Sequence, residues 1–145
     1  MIVAEPDLGR LLLEAQRALA AEVGVELEER GYDDLRPGHA AAFLHIDRRR
    51  GSRLTDLAVR ARVTKQAMML LVDDLEARGY VRRVADPTDS RAKVVRLTAR
   101  GRGATAECRR AVQAVEKEAA GMLGDRRYDL LRESLELLAA PVEDA

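Results

Sequence analysis

The chain has 145 residues, 47% of them apolar and 34% charged, a composition that excludes a disordered polymer and suits one globular domain over residues 1–145. Its 25 basic and 25 acidic side chains cancel, which would argue against a nucleic-acid partner if they were evenly spread. They are not. Residues 1–45 carry four basic and nine acidic side chains, 46–103 fifteen and seven, and 104–145 six and nine, so a middle of net +8 lies between ends of −5 and −3. A local excess of this kind is what a phosphate-binding surface needs, although charged helix faces turned to water have the same composition.

From Pro6 to Arg30 the residues Leu8, Leu12, Ala15, Leu19, Val23 and Leu27 recur at steps of three or four, the period of one helix face. Pro6 and Asp7 suit the start of this helix and Gly31 its end. About seven turns is long for so small a chain, and the stripe points to a partner helix more than to a private core. Pro37 opens a second helix running to about Arg49 through Ala40, Ala41, Phe43, Leu44 and Ile46. Thr55–Ala61 reads as a short helix with Leu54, Leu57 and Ala58 inward. After a break at Arg62-Val63, Thr64 is the N-cap of a helix from Lys65 to Arg78 that Gly79 ends. Two short helices joined by so tight a turn make a helix-turn-helix. The period then changes: Tyr80–Val84 and Lys93–Leu97 are β-branched runs separated by Ala85–Ala92, where Pro, Asp and Ser favour a turn. A hairpin with a long, basic-flanked tip is predicted. Thr98 caps a second long helix with Ala104, Cys108, Ala111, Val115, Ala119 and Met122 on one stripe; Gly124-Asp125 breaks it, and Tyr128–Ala139 forms a last helix.

The expected fold class is therefore mostly α with a small β wing, a winged helix-turn-helix over 35–98 flanked by long helical ends over 6–34 and 99–140. The stretch from Leu54 to Gly101 resembles the MarR-type transcriptional regulators. Leu54-Thr55-Asp56-Leu57-Ala58 is similar to that family's supporting helix, and Val63-Thr64-Lys65-Gln66-Ala67-Met68 through Gly79-Tyr80-Val81 to its recognition helix and exit. Asp86-Pro87-Thr88-Asp89-Ser90-Arg91-Ala92-Lys93, followed by Leu97-Thr98-Ala99-Arg100-Gly101, is similar to its wing and is the most specific part. The resemblance implies a homodimer paired through the terminal helices, a pseudo-palindromic double-stranded DNA partner and a small-molecule effector.

At 100° per residue the recognition helix turns Met68, Leu71, Val72 and Leu75 to the core, and Gln66, Met69, Leu70 and Asp73 away from it. Behind the Thr64 cap, Lys65, Gln66, Met69 and Leu70 are then the candidates to enter the major groove. Gln pairs with adenine and Lys with guanine or phosphate; Met69 and Leu70 either press on a thymine methyl or are incidental surface apolarity. Asp74 is tolerable near phosphate only on the far side of the helix. In the wing, Arg82, Arg83, Arg91 and Lys93 surround the turn; by resemblance Asp89 orients an arginine, and Arg91 meets the minor groove or its phosphates. Arg48, Arg49, Arg50 and Arg53 either contact phosphate or stay solvated.

His39 and His45 project about 120° apart on one helix, so no metal site is expected there, though His39 can line a ligand pocket. Cys108 lies on an apolar stripe and reads as a packing residue ahead of the alternative, a redox-sensing thiol. As the lone cysteine it forms no internal disulfide, and Glu5 and Asp7 stand where a secretory signal would be basic and then apolar, so a reducing cytoplasm is the expected compartment. The longest apolar run, Ala67–Val72, is far short of the roughly 20 residues of a membrane span. With no phosphate-binding glycine loop, no nucleophile beside a base and no ligand cluster, neither an enzyme nor a cofactor is expected. The competing function is a winged-helix module that binds protein and no longer reads DNA, kept open by Met69, Leu70, Asp73 and Asp74.

Overall fold

Asp7 starts the first helix by accepting a hydrogen bond from the Arg10 amide at 2.9 Å, and the chain then runs through six helices and one hairpin in the computed structural model, which describes residues 4–140 except the side chain of Ala41. The order is α1 (Leu8–Glu29), α2 (Pro37–His45), α3 (Leu54–Ala61), α4 (Lys65–Ala77), β1 (Val81–Asp86), β2 (Asp89–Leu97), α5 (Ala99–Leu123) and α6 (Asp125–Ala139). This is a winged helix-turn-helix, α2 to β2, set between long helices. The ends of the predicted 1–145 span, residues 1–3 and 141–145, lie outside the described residues.

Packing follows the helical period in the middle of the chain. Leu27, Phe43, Leu57, Met68, Val72, Leu75, Tyr80, Val81, Val95 and Cys108 are the large side chains fully withdrawn from solvent, and Phe43 meets Tyr80 edge to face at 5.8 Å. On and just after α2, His39, Ala40, Ala42, Phe43 and Ile46 are buried and Leu44 is exposed. The helix ends at His45, short of Arg49, because Ile46 is extended and the Asp47 carboxylate accepts from the Arg49 and Arg50 amides, both at 2.8 Å. That turn delivers Ser52 to the open edge of β2, where it exchanges two backbone hydrogen bonds with Val95. Gly51 makes the approach at φ +73°; a Cβ there would stand 2.7 Å from the Val95 carbonyl oxygen.

The hairpin differs from the expectation. Its turn is Pro87-Thr88 alone, and both strands reach it. The irregular composition of 85–92 arises instead from a bulge: Ala85 pairs with Lys93 and Asp86 with Asp89, which leaves Ser90, Arg91 and Ala92 without partners on β1.

At the ends of the chain burial stops early. Helix α1 buries only Val23 and Leu27, leaving Leu8, Leu12 and Leu19 of its stripe exposed. The α5 stripe is buried through Val115, but Met122 is 86% exposed, and α6, which begins at Asp125 rather than Tyr128, buries nothing. Cys108 sits in the buried part, where desolvation pushes its thiol up to about 11; it is a packing residue in an unreactive protonation state. No helix among the described residues is long and apolar enough to cross a membrane.

Candidate nucleic-acid interface

Helix α4 begins where Thr64 accepts the Ala67 amide at 3.1 Å, satisfying one of the open donors of its first turn. Met68, Val72 and Leu75 are buried and Leu71 half-buried, so Lys65, Gln66, Met69, Leu70 and Asp73 stand exposed, Met69 by 40% and Leu70 by 64%. The side chains named from the sequence for the N-terminal part of this helix thus share one outer surface.

The carboxylates on α4 are each paired with a basic side chain of the same chain. Asp74 turns toward α2, where its two oxygens meet His39 Nε2 at 2.7 Å and Arg78 Nε at 3.0 Å. His39 is 2% exposed, and its Nδ1 accepts the Arg36 amide at 2.9 Å, so Nε2 carries the proton it donates to Asp74. The Arg78 guanidinium first, and then His39, hold Asp74 below the usual carboxylate range. This acid is thus paired within the chain, although its side chain stays 41% exposed in the groove that Leu70 also lines. That open groove, of about 460 Å³, lies between α2 and α4 and is lined as well by Arg36, His39, Ala67 and Leu71.

Arg83 has a different task from the one expected. Its side chain reaches Glu76 at 2.8 Å and Asp73 at 2.5 Å, and its amide donates to Glu76 at 2.8 Å. It clasps β1 to α4 and neutralises the acids of the recognition helix. Nor do Arg82 and Arg83 surround the turn: they lie near the base of the hairpin, roughly 15 Å from Pro87 at 3.3 Å per residue. Arg82 is exposed opposite Arg96 on the sheet face turned from α4. Lys93, also exposed, stands opposite Ala85 and shares a face with Arg83.

At the tip, the Asp86 carboxylate accepts from the Thr88 amide at 2.9 Å and hydroxyl at 2.7 Å, and from Arg53 at 2.8 and 3.0 Å. Thr88 first, then Arg53, hold its carboxyl at about 2. Arg53 is therefore a tether for the wing, a role no local sequence pattern marks. Asp89 accepts the Arg91 amide at 3.1 Å and comes within 3.5 Å of Arg91 Nε, while the Arg91 side chain remains 92% exposed on the bulge.

The Asp86 arrangement fixes a pH response. Because the folded carboxyl titrates below its ordinary value of 3.8, its stabilisation is complete above that pH and is lost as pH falls toward about 2. Protection of the Thr88 amide from hydrogen exchange is expected to fall over this window. In Asp86→Asn it should be low at neutral pH as well; equal protection in both proteins would refute the tether.

A residue unmarked by the sequence reading is Asp34. Its carboxylate accepts from Tyr80 at 2.7 Å and Arg100 at 3.1 Å, its carbonyl accepts from Arg78 at 2.7 Å, and Arg100 lies 4.4 Å from the centre of the Tyr80 ring. The α1–α2 connection, the exit of α4 and the start of α5 meet at this one acid. Burial pushes the Tyr80 hydroxyl above its ordinary value. No grouping of three or more potential metal ligands occurs among the described residues.

Residues 33–92 match the sequence model of the MarR family. No curated protein sequence matches the chain. Solved structures do: CouR from Rhodococcus jostii RHA1 bound to p-coumaroyl-CoA is 25% identical with a TM-score of 0.77, covering 96% of both chains. CouR bound to a 23-mer DNA duplex is 25% identical with a TM-score of 0.80, over 92% of this chain and 93% of that one. The Mycobacterium tuberculosis MarR family protein Rv2887 in complex with DNA is 27% identical with a TM-score of 0.68, over 94% of this chain and all of that one. The winged-helix segment of the chain thus matches the MarR family model, and its fold is shared almost from end to end with the MarR family protein Rv2887 and with CouR.

Proposed function

We propose that the protein is a homodimeric, sequence-specific double-stranded DNA-binding transcriptional regulator that responds to a small molecule. The observation that carries this reading is the disposal of charge. Asp73, Glu76, Asp74 and Asp86 are each matched by an arginine or histidine of the same chain, while Lys65, Arg82, Arg91 and Lys93 keep exposed side chains on α4 and the wing. The result is local positive charge with the acids of α4 paired and Asp89 beside Arg91, as phosphate binding can use. CouR and Rv2887, both solved with DNA, support the same use of the fold, and the CouR complex with p-coumaroyl-CoA supports an effector. In this chain the α2–α4 groove is a place where an effector would touch the recognition helix directly.

Residues 35–98 form the DNA-binding part in this reading, and 6–34 with 99–140 the dimerisation helices, whose exposed leucines would cover one another. Twofold pairing then sets two α4 helices against successive major grooves, about 34–36 Å apart. Thr64 fixes the start of α4, Gln66 reads a base, Lys65 contacts phosphate or guanine, Asp89 orients Arg91, and Arg91 serves the minor groove or its phosphates. Arg83 belongs to the support of the site.

Selection of bound duplexes from a random pool tests this. The intact protein is expected to enrich a pseudo-palindrome and to bind it less tightly as salt rises. Arg91→Ala should weaken all sequences and lower the salt slope by about 1, whereas Gln66→Ala should change preference at one position per half-site. Unchanged affinity and preference in both variants would refute these assignments. Absence of salt-sensitive duplex binding would favour the protein-binding module, the reading to which exposed Met69 and Leu70 lend support.

A further inference from the structure

Two large apolar side chains stand in water on the helix that the proposed function places in the major groove. Met69 and Leu70 are far in sequence from the leucine-rich ends of the chain, and their neighbours on the outer face of α4 are Lys65, Gln66 and Asp73. Helix α4 itself carries no arginine on this face, although Arg36 lines the α2–α4 groove beside Leu70. The one arginine next to α4 at its C-terminal end, Arg78, is bound to Asp74 and Asp34, and Arg62 in the preceding turn donates to the Ala139 carbonyl at 3.3 and 3.4 Å. Asp73 is occupied by Arg83 and so is not presented as an acceptor for cytosine. A two-pronged arginine contact to guanine is thus not supplied by α4 itself, and Lys65 is its one exposed cation for guanine or phosphate.

What remains matches an A·T pair. Gln offers both hydrogen bonds that the adenine edge requires, and the thymine C5-methyl is the apolar feature of the major groove. Met69 and Leu70 follow Gln66 by three and four residues, hence lie on the same side one turn along. A helical rise of about 4.5–6 Å over that interval corresponds to one or two base-pair steps. Resting on the DNA-binding reading above, we propose that Met69 and Leu70 are specificity residues that pack on thymine methyl groups, so that each half-site is read as consecutive A·T pairs. The exposed Lys65 beside this apolar pair suits a duplex occupant, since it supplies charge for the phosphates that border the methyls.

Replacing thymine by deoxyuridine removes the methyl and keeps every hydrogen bond. In the duplex selected by the full-length protein, each thymine of the half-site is changed singly to deoxyuridine and affinity is measured. At one or two positions the change is expected to weaken binding about fourfold per half-site, the effect of one methyl withdrawn from water. Met69→Ala or Leu70→Ala should bind the two duplexes equally at its own position, while Gln66→Ala keeps the difference. Circular dichroism and a thermal melt are expected to show both alanine variants folded, since they alter exposed side chains. The proposal is overturned if no thymine is sensitive, if sensitivity survives in both variants, or if the selected half-sites lack thymine beside the adenine read by Gln66. Loss of all duplex binding by the unmodified protein is a separate result, which refutes the regulator reading itself.

Discussion

Gly101→Ala is expected to destabilise the protein by about 3 kcal/mol or more, the upper range for forcing a methyl into a filled interior. A Cβ at position 101 would lie 1.9 Å from the Tyr80 carbonyl oxygen and 3.0 Å from its carbon, both backbone atoms. Neither can swing aside. That carbonyl accepts the Thr98 amide at 3.0 Å, and Thr98 Oγ1 accepts the Gly101 amide at 3.0 Å. The first turn of α5 is thereby fixed against the segment leaving α4. To admit the methyl, the long helix must lift from Tyr80, a fully buried residue. Gly103→Ala is the internal control: its Cβ would meet nothing closer than the Tyr32 hydroxyl at 3.7 Å, and alanine in an open helical position stabilises by up to about 1 kcal/mol. Urea unfolding of the two variants should therefore move in opposite directions. A Gly101→Ala midpoint equal to that of the parent would show that the close approach has no energetic consequence.

The double substitution Leu12→Glu with Leu135→Glu is expected to give a folded protomer that sediments at the 16.0 kDa chain mass, with affinity for a palindromic duplex reduced at least about 100-fold. The leucines of α1 and α6 stand exposed, so acidic replacements remove no intramolecular core. If these surfaces pair in a dimer, the substitutions place uncompensated charge in the seam. DNA affinity should fall with it, because two linked reading heads gain roughly 10²–10⁴ over one. Survival of the dimer in sedimentation, or a lone protomer that binds the full palindrome as tightly as the parent, would contradict the proposed assembly.

What was legible in the sequence was whatever depends on local spacing. The caps Asp7, Thr64 and Thr98 and the buried face of α4 follow from a period of 3.6 and short side chains that bond to nearby amides. The roles of Arg82 and Arg83 were not legible, because neighbouring strand residues point to opposite faces and the register decides which one meets α4. The bulge concealed that register: Ser90–Ala92 read as loop composition although both flanking segments are strand. Asp34 escaped notice for a different reason. Its partners lie 44, 46 and 66 positions away, and nothing local distinguishes it from adjacent Asp33. The Leu-Thr-x-x-Gly pattern at 97–101 was visible as part of the wing resemblance, but the geometry gives it a mechanical reason, a cap and a near contact at the base of α5.

Asp34 couples the two halves of the molecule. Arg78 closes α4, Arg100 opens α5, and both are tied to this one side of the α1–α2 connection. In the proposed dimer, levering the long helices apart would therefore pull on α4 through these bonds. There, an effector that altered the tilt of that helix would change the distance between paired fingertips. Cutting this link with Asp34→Ala should leave each half shaped as before while uncoupling the signal from the grip.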